Sequence, residues 1–322
     1  EIELKNGRTV CIVSDNSWKY SPSSITFNSI YGGEDEDARI TSSWKPVVIQ
    51  KGPRGVLRQQ IAQPVKMMEY FGVKSRHQLT PQQIAKASNA KHPIPAGTFV
   101  LDMGQNLAGF PQIKVSGKAG QQVRLYLSET LTAQGTCNQK QSGSPYYLNY
   151  TLSGKGEKAS DGKRIEIWHP HFTYYGYRYI QVEGAVMKGD ENPDGKPVIE
   201  DIQSCFVYNS AAKIGSFECS NPMFNRAYQI IDRAIRSNWQ AVWTDCPHRE
   251  KLGWLEQDWL NGEGLVYNYD CRSMIEQTLQ NIADAQHANG AVPTTAPEYI
   301  YFKGKWLDPF ADATGKGYQI LQ

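Results

Sequence analysis

Carboxylates, an arginine and tryptophans are concentrated in residues 243–259, which read Trp-Thr-Asp-Cys-Pro-His-Arg-Glu-Lys-Leu-Gly-Trp-Leu-Glu-Gln-Asp-Trp. The stretch holds four carboxylates, one arginine and three tryptophans, and with Trp239 it accounts for four of the eight tryptophans in the chain. Carboxyl groups carry out proton transfers, and flat aromatic rings cover the apolar face of a pyranose. The pattern favours a sugar-cleaving site. The alternative is a helix start with buried tryptophans and solvated charges.

The first two-thirds of the chain has the alternation and turn residues of β-structure. Residues 110–127 alternate apolar and polar positions on both sides of a glycine-containing turn, which predicts a hairpin with one buried face. The apolar positions are Ile113 and Val115 before the turn, and Val123, Leu125 and Leu127 after it. Residues 172–182 form a further tyrosine-rich strand region. Short strands at this spacing are typical of β-sandwiches.

Helical periodicity replaces this pattern near residue 213. Asn221-Pro222 is a helix start, and apolar residues then recur at helical spacing from Phe224 to Ile235. A second helix is predicted over 273–287, and an intermediate one after Trp254. The carboxylate-rich segment thus lies in the first long connection of the helical part, and loops held by rigid elements are where chemistry is usually placed.

Composition excludes several classes of protein. A length of 322 residues suggests two or three domains. The net charge is +2 without a lysine/arginine block, so we expect no nucleic-acid partner. No run of about 18 apolar residues occurs, so we expect no membrane span. Six scattered cysteines without a CxxC pair favour free thiols. The start Glu-Ile-Glu-Leu has no leader pattern, so the chain looks processed or truncated.

Residues 244–254 resemble the signature of glycoside hydrolase family 78, the bacterial α-L-rhamnosidases. Members of that family carry Asp-Cys-Pro-x-Arg-(Asp)-Glu-x-Leu-Gly-Trp at the mouth of an (α/α)6 barrel. Further stretches agree in order along the chain. Residues 30–39 resemble the family's N-terminal β-sandwich, 102–110 and 172–179 its concanavalin-like sandwich, and 290–298 an early barrel loop.

The resemblance implies a multidomain β + α fold: two β-sandwich domains followed by the first helices of an (α/α)6 barrel. We predict the end of an N-terminal β-sandwich at 1–60, a concanavalin-like β-sandwich at 61–212, and the N-terminal part of the catalytic barrel at 213–322. Twelve helices of roughly 11–12 residues, with their loops, need more chain than follows residue 213. We therefore expect the chain to be a fragment.

The resemblance also implies roles for individual residues. The family inverts the anomeric centre, which needs an acid and a base about 6.5–9.5 Å apart. By motif position Glu250 is the catalytic acid, whereas the base is expected beyond residue 322, so the isolated chain is expected to be inactive. Asp245, Arg249, Trp254 and Gln257 are the substrate-binding candidates. Gln257 stands where the family usually has an aspartate, which leaves the preferred sugar open.

Chemistry adds three expectations for this site. A general acid must keep its proton, and the apolar side chains of Leu252 and Trp254 would favour that. Arg249 would oppose it by pairing with Glu250, so we expect Arg249 to point away, towards sugar hydroxyls or Asp245. Asp245 is expected to be ionised and to accept hydrogen bonds from the sugar.

Structural interpretations stand beside these functional ones. Arg249 could be a clamp for Asp245, and Trp254 could be a core residue. Three tryptophans are expected in the core rather than in the site: Trp239, Trp243 and Trp259. Cys246 and His248 lack a second ligand pair at zinc-binding spacing, so no metal is predicted there. No cofactor is predicted; calcium occurs in some sugar-cleaving sandwiches, but no EF-hand-like loop indicates it.

The sequence therefore predicts a glycosidase that releases terminal α-L-rhamnose from plant or algal polysaccharides or glycosides by an inverting acid/base mechanism. Two alternatives remain open: a non-catalytic carbohydrate-binding β-sandwich protein, and an (α/α)6 glycosidase for a different sugar. The expected partner is a rhamnose-containing oligosaccharide or polysaccharide. The resemblance implies a periplasmic or extracellular location, and nothing indicates the oligomeric state.

Overall fold

The computed structural model describes residues 2–298 apart from 53, 54, 57, 90, 143 and 144. Within these residues the order of elements is β-rich up to Asn209 and helical afterwards, which confirms the predicted succession of β- and α-structure. The residues after 298, where the predicted barrel part continues, lie outside the described part of the chain.

Most strands of the described residues are short, and only two of them are longer than nine residues. Their bounds are Ile2–Glu3 (β1), Thr9–Val10 (β2), Lys19–Tyr20 (β3), Ile25–Ser29 (β4), Gly33–Asp37 (β5), Lys45–Pro46 (β6), Val65–Gly72 (β7), Ser75–Gln78 (β8) and Phe99–Ser116 (β9). The later strands are Gln122–Ser128 (β10), Tyr147–Thr151 (β11), Glu157–Lys158 (β12), Arg164–Trp168 (β13), Tyr175–Glu183 (β14), Val186–Met187 (β15) and Val198–Asn209 (β16).

One large curled sheet dominates the β-part. Its main path runs β12-β13-β9-β14-β10-β11-β5-β4, and β16, β7, β8 and β15 join it through β9 and β16. The long strand β9 pairs with β14 and β8 in its first half and with β13 and β16 in its second half. The sheet curls as a result, and its buried side chains form one core that includes Phe99, Leu125, Ile180 and Phe206.

The predicted hairpin over 110–127 is wrong in its pairing but right about its buried face. Ile113, Val115, Val123, Leu125 and Leu127 are all fully buried. However, β10 pairs with β14, and β14 pairs on its other side with β9, so β14 separates the two predicted partners. Alternation reports which side chains face the core, whereas the neighbouring strand is chosen by contacts far away in sequence.

The N-terminal strands are continuous with this sheet. β5 pairs with β11 in parallel, and β4 pairs with β5. Strands from the predicted 1–60 domain therefore extend the sheet formed by the predicted 61–212 domain. The boundaries of these domains stay a prediction.

Four α-helices are present in the described residues, three of them after the sheet. Their bounds are Pro81–Ala87 (α1), Pro222–Asn238 (α2), Leu255–Asn268 (α3) and Arg272–Ala285 (α4). The predicted start of α2 is confirmed, because Asn221 caps it with a side-chain oxygen bonded to the Met223 amide and Pro222 occupies its first turn. The helices predicted after Trp254 and over 273–287 are also confirmed, as α3 and α4.

The face of α2 that lies against β9 and β16 is polar. Asp232 and Ser237 are its buried residues, and Asp232 accepts hydrogen bonds from Lys213 and Arg236. The apolar residues Phe224 and Ile231 are 55% and 57% exposed. Periodicity located the helix correctly, but the side that packs on the sheet is stabilised by ion pairs.

A second core joins the helices. Trp239, Trp243, Leu265, Tyr269 and Met274 pack together there, which confirms the core positions predicted for the first two tryptophans. Trp259 is 48% exposed, so its predicted core position is wrong. On α3 it lines a cavity of about 610 Å³ beside Ile275 of α4 instead of filling the core.

Two global expectations can be compared with the described residues. No helix among them is both long and apolar enough to cross a bilayer. None of the six cysteines forms a disulfide; Cys137, Cys205 and Cys271 are buried and Cys11 is exposed.

Candidate active site

The loop between α2 and α3 carries the predicted site, and both of its ends are fixed. At its start, the Thr244 amide donates to the Asn238 carbonyl at 2.8 Å. At its end, Trp254 forms an isolated β-bridge with Thr295, and the Leu255 amide donates to the Thr294 carbonyl at 3.1 Å. Residues 245–254 therefore project from helical supports as a short, defined segment, which we call the acidic loop.

Glu250 is half-buried, and its carboxylate has donors on both oxygens. The indole Nε1 of Trp254 donates to Oε2 at 3.0 Å, and Arg249 Nη2 donates to Oε1 at 3.1 Å. The Glu250 amide donates to the Cys246 sulfur at 3.2 Å, which closes the turn. The spacing of four residues between Glu250 and Trp254 brings the carboxylate to the indole edge.

The expectation that Arg249 points away from Glu250 is wrong. The two form an ion pair at 3.1 Å, with side chains 59% and 33% exposed. At that exposure water screens the attraction, so the pair contributes little to stability and its guanidinium can be redirected cheaply. Arg249 makes no ion pair with Asp245 among the described contacts, so the clamp interpretation gains no support.

Asp245, which lies near Glu250, has a carboxyl group with a shifted pKa. Burial raises its pKa above the usual value, and the neighbouring Glu250 carboxylate raises it further, while a hydrogen bond with the Cys246 thiol works in the opposite direction. Its Oδ1 also accepts a long hydrogen bond from the Leu252 amide at 3.4 Å. The direction of this shift is opposite to the ionised state expected for Asp245.

Gln257 is not brought to the same place as the other predicted residues. It lines a cavity of about 170 Å³ between α2 and α3, together with Ile231, Asn238 and Asn261. Neither Glu250 nor Trp254 lines that cavity. The structure thus assembles Asp245, Arg249, Glu250 and Trp254, and turns Gln257 towards α2.

Lys251 is the main feature that the sequence did not reveal. It is 3% exposed and has a φ of 55°, a left-handed backbone conformation that is uncommon for residues other than glycine. Its Nζ donates to the carbonyl oxygens of Ile30 and Tyr174, the latter at 2.6 Å. Burial lowers the pKa of this amine to about 7.

The β-part makes two further contacts to the acidic loop. The Tyr31 hydroxyl donates to the Glu250 carbonyl at 2.7 Å. His248 Nε2 lies 3.1 Å from Glu129 Oε2, and the pKa of His248 is raised to about 9, first by its interaction with Cys246 and then by Glu129. The charged imidazolium is therefore favoured at neutral pH, and the loop is bonded to segments of the β-part more than 100 residues away in sequence.

One cluster of metal-ligand type occurs among the described residues: Glu34, Glu36 and His171. The Glu34 carboxylate already accepts hydrogen bonds from the amides of His171 and Phe172, each at 3.0 Å. Trp168 Nε1 donates to Glu36 at 2.7 Å. These groups satisfy one another, and the cluster contains no residue of the acidic loop.

Comparison with known families identifies the class of protein. Three domain models of one family match in succession: the α-L-rhamnosidase N-terminal domain at 1–69, the bacterial α-L-rhamnosidase concanavalin-like domain at 92–208, and the bacterial α-L-rhamnosidase 6 hairpin glycosidase domain at 212–316. The chain belongs to the bacterial α-L-rhamnosidase family.

Curated relatives bear the same name. An α-L-rhamnosidase of Streptomyces avermitilis is 30% identical over 310 residues, covering 92% of this chain and 27% of that protein. One from Formosa agariphila is 28% identical over 291 residues, covering 88% of this chain and 28% of that protein. The chain therefore spans a little more than a quarter of the length of these relatives.

Solved structures agree with this relationship. The α-L-rhamnosidase from Dictyoglumus thermophilum has a TM-score of 0.75 at 27% identity, covering 98% of this chain and 34% of that one. The Streptomyces avermitilis α-L-rhamnosidase complexed with L-rhamnose has a TM-score of 0.75 at 26% identity, covering 99% of this chain and 29% of that one.

Proposed function

We propose that the protein is an inverting α-L-rhamnosidase and that Glu250 is its general acid. The observation that carries this proposal is the hydrogen bond that the Trp254 indole donates to the Glu250 carboxylate. A carboxyl group held at the edge of an aromatic ring can protonate a leaving oxygen while the ring contacts the sugar. Membership of the α-L-rhamnosidase family and the rhamnose complex of one relative support the sugar.

The acid chemistry follows from the carboxyl pair. Asp245 has a raised pKa because of burial and the nearby Glu250 carboxylate. Glu250, in its protonated form, delivers its proton to the glycosidic oxygen as the bond to the anomeric carbon breaks. Asp245 binds the sugar in its ionised form, because its carboxylate oxygens can accept hydrogen bonds from the sugar hydroxyls. Arg249, whose side chain is largely exposed, is placed to donate to the same sugar.

Asp245 is not suited to be the catalytic base. An inverting enzyme holds a water molecule between the base and the sugar, which requires carboxyl groups about 6.5–9.5 Å apart. Asp245 is within hydrogen-bonding reach of Glu250, and that leaves no room for substrate and water between them. The base is therefore a carboxylate other than Asp245, across the sugar from Glu250.

The architecture proposed for this activity keeps the domain boundaries 1–60, 61–212 and 213–322. The last of these supplies the first helices of an (α/α)6 barrel, a view supported by the succession of α2, α3 and α4 and by the match to a hairpin glycosidase domain. We propose a rhamnose-containing oligosaccharide or polysaccharide as substrate and a location outside the cytoplasm. Cell fractionation with an antibody to the protein tests the location.

The test of the activity is hydrolysis of a panel of nitrophenyl glycosides by the full-length gene product. We expect turnover of the α-L-rhamnoside, with a product whose anomeric configuration, followed by proton NMR, is inverted. Turnover of another sugar alone would favour the different-sugar alternative, to which Gln257 gives some support because its amide replaces a carboxylate. Saturable binding of rhamnosides without turnover of any glycoside would favour a non-catalytic binding protein.

A further inference from the structure

We infer that Lys251 is a positioning residue: its ammonium group, inserted into a cage built by the β-part of the chain, sets the place and direction of Glu250. This inference rests on the proposed role of Glu250 as the acid. The observations that carry it are the burial of Lys251, its two carbonyl partners, the rings around it and its backbone conformation.

The cage consists of aromatic faces and carbonyl oxygens. The Lys251 nitrogen lies 4.7 Å from the ring centroid of Tyr174, 5.3 Å from that of Tyr175, 5.4 Å from that of Tyr146 and 5.8 Å from that of Tyr31. Its hydrogen bonds go to the carbonyl oxygens of Ile30 and Tyr174. Rings and carbonyl oxygens all attract a cation, so they offset part of the cost of burying the Lys251 amine and fix its position.

The cage has no carboxylate partner for this charge among the described residues. Lysine is almost never fully buried without such a partner, and here Lys251 is 3% exposed. A core position that needed only volume would be filled by leucine or methionine at lower desolvation cost. The buried amine therefore serves a geometric purpose, which is to hold the acidic loop at one point through its carbonyl partners.

Three segments distant in sequence meet at this point. They are residues 30–31 before β5, Tyr146 before β11, and residues 174–175 at the start of β14. The side chain of Lys251 thus ties the helical part to the sheet directly beside the candidate acid. The hydrogen bond from Lys251 to the Ile30 carbonyl joins residues that are 221 positions apart in sequence.

The backbone transmits this constraint to Glu250. The left-handed conformation at Lys251 reverses the chain immediately after Glu250, while the Tyr31 hydroxyl holds the Glu250 carbonyl at 2.7 Å. The peptide between these residues is therefore fixed from both sides. The Glu250 side chain is directed towards Trp254, to which it is bonded.

The test is Lys251→Met in the full-length protein, assayed on aryl α-L-rhamnosides that range from nitrophenyl to methoxyphenyl leaving groups. A displaced acid matters most when the leaving group needs a proton. We expect kcat to fall by about a hundredfold on the methoxyphenyl substrate and less than about threefold on the nitrophenyl one, with KM unchanged. A merely structural role would lower both rates equally, and that result would overturn the inference.

Tyr31→Phe is the second variant, because Lys251→Met removes a buried cation and could prevent folding. It deletes only the hydroxyl bonded to the Glu250 carbonyl. We expect a fall of about tenfold on the methoxyphenyl substrate and almost none on the nitrophenyl one. Tyr228→Phe is the matched control, since its hydroxyl bonds Asn268 at 2.6 Å, away from the acidic loop; both rates should be unchanged. Equal rates in Tyr31→Phe and Tyr228→Phe would overturn the inference.

A spectroscopic readout separates this inference from the proposed function. The indole Nε1 proton of Trp254, assigned with Trp254→Phe in protein containing isotopically labelled tryptophan, reports its bond to Glu250. We expect this resonance to shift in Tyr31→Phe and not in Tyr228→Phe. If the wild-type protein hydrolyses no rhamnoside, the proposed function fails, and the resonance alone decides: a shift keeps the positioning role, and no shift overturns it.

Discussion

The Trp254 indole donates a 3.0 Å hydrogen bond to Glu250 Oε2 across one turn of the acidic loop. The indole thus has two functions that are usually considered separately. Its edge orients the candidate acid, and we expect its face to contact an apolar surface of the sugar. Because Trp254 also precedes the first residue of α3, helix and acid are mechanically joined.

Replacing Trp254 by phenylalanine separates these two functions. The ring face is retained, but the donor to Glu250 is lost, and hydrogen bonds to charged groups contribute about 1.5–3 kcal/mol. We expect kcat/KM on a rhamnoside with a poor leaving group to fall by about tenfold to a hundredfold. Steady-state kinetics of Trp254→Phe and Trp254→Ala measure this. If Trp254→Phe and Trp254→Ala lose the same activity, the ring face that phenylalanine retains contributes nothing to kcat/KM.

Glu250→Gln is the direct test of the acid. The amide keeps the shape of the side chain and cannot deliver a proton, so loss of general acid catalysis should cost about 10²–10⁴-fold on substrates with poor leaving groups. Nitrophenyl substrates should be affected much less, because their leaving groups depart without protonation. The ratio of the two rates in variant and wild type is the measurement. An equal loss on both substrates would exclude Glu250 as the acid.

Asp258 makes stability depend on pH in a predictable direction. Burial beside the cavity between α3 and α4 raises the pKa of its carboxyl to about 8, from a reference value of 3.8. The folded state then binds more protons than the unfolded state between these values, so stability is lost as pH rises through the window. The substitution Asp258→Asn removes the titrating carboxyl and therefore this pH-dependent loss of stability.

Chemical denaturation at several pH values measures the Asp258 effect. The free energies of unfolding of Asp258→Asn and wild type should be similar near pH 4 and should diverge in favour of the variant towards pH 8. Asp284→Asn is the control, because that side chain is 62% exposed on α4. A constant difference between Asp258→Asn and wild type across the range would contradict the prediction.

Lys251 predicts a pH dependence of the opposite sign. Burial lowers the pKa of its amine to about 7, from a reference value of 10.5. Between these values the unfolded state binds more protons, so the buried lysine is least favourable at and below pH 7 and its cost is relieved as pH rises. The tyrosine rings favour the charged form of the Lys251 amine, so they reduce the pH range between its folded and unfolded pKa values.

Comparison of wild type with Lys251→Met isolates that contribution. The stability of the wild type relative to the variant should increase from pH 7 towards pH 10, by up to about 1.4 kcal/mol per pH unit. Thermal or urea unfolding monitored by circular dichroism provides the free energies. A relative stability that falls over this range would show that the amine is not desolvated in the folded protein.

Local sequence signals predicted the helices, whereas sheet pairing escaped prediction. Asn221 and Pro222 specify the start of α2, because they act on backbone groups within the same turn. Alternation likewise identified Val115 and Val123 as buried. That β14 lies between β9 and β10 follows from pairings between residues 51 to 83 positions apart, which no local pattern records.

The candidate site also has one part that local sequence signals predict and another part that depends on distant contacts. Asp245, Glu250 and Trp254 lie within ten residues, so one turn of chain is enough to bring them together. The anchoring of Lys251 depends on Ile30 and Tyr174, and nothing next to the lysine in sequence distinguishes it from a solvated charge. The predicted direction of Arg249 is wrong because an exposed guanidinium pairs with the neighbouring carboxylate, whatever the chemical role of that carboxylate.

The cage around Lys251 bears on how homologous enzymes can be recombined. A chimera that joins the helices of this protein to the sheet of another would separate the lysine from the tyrosines at 31, 146, 174 and 175. The acidic loop of such a graft would lack the contacts that hold the Lys251 amine. An exchange of this loop between relatives therefore has to include these four aromatic residues.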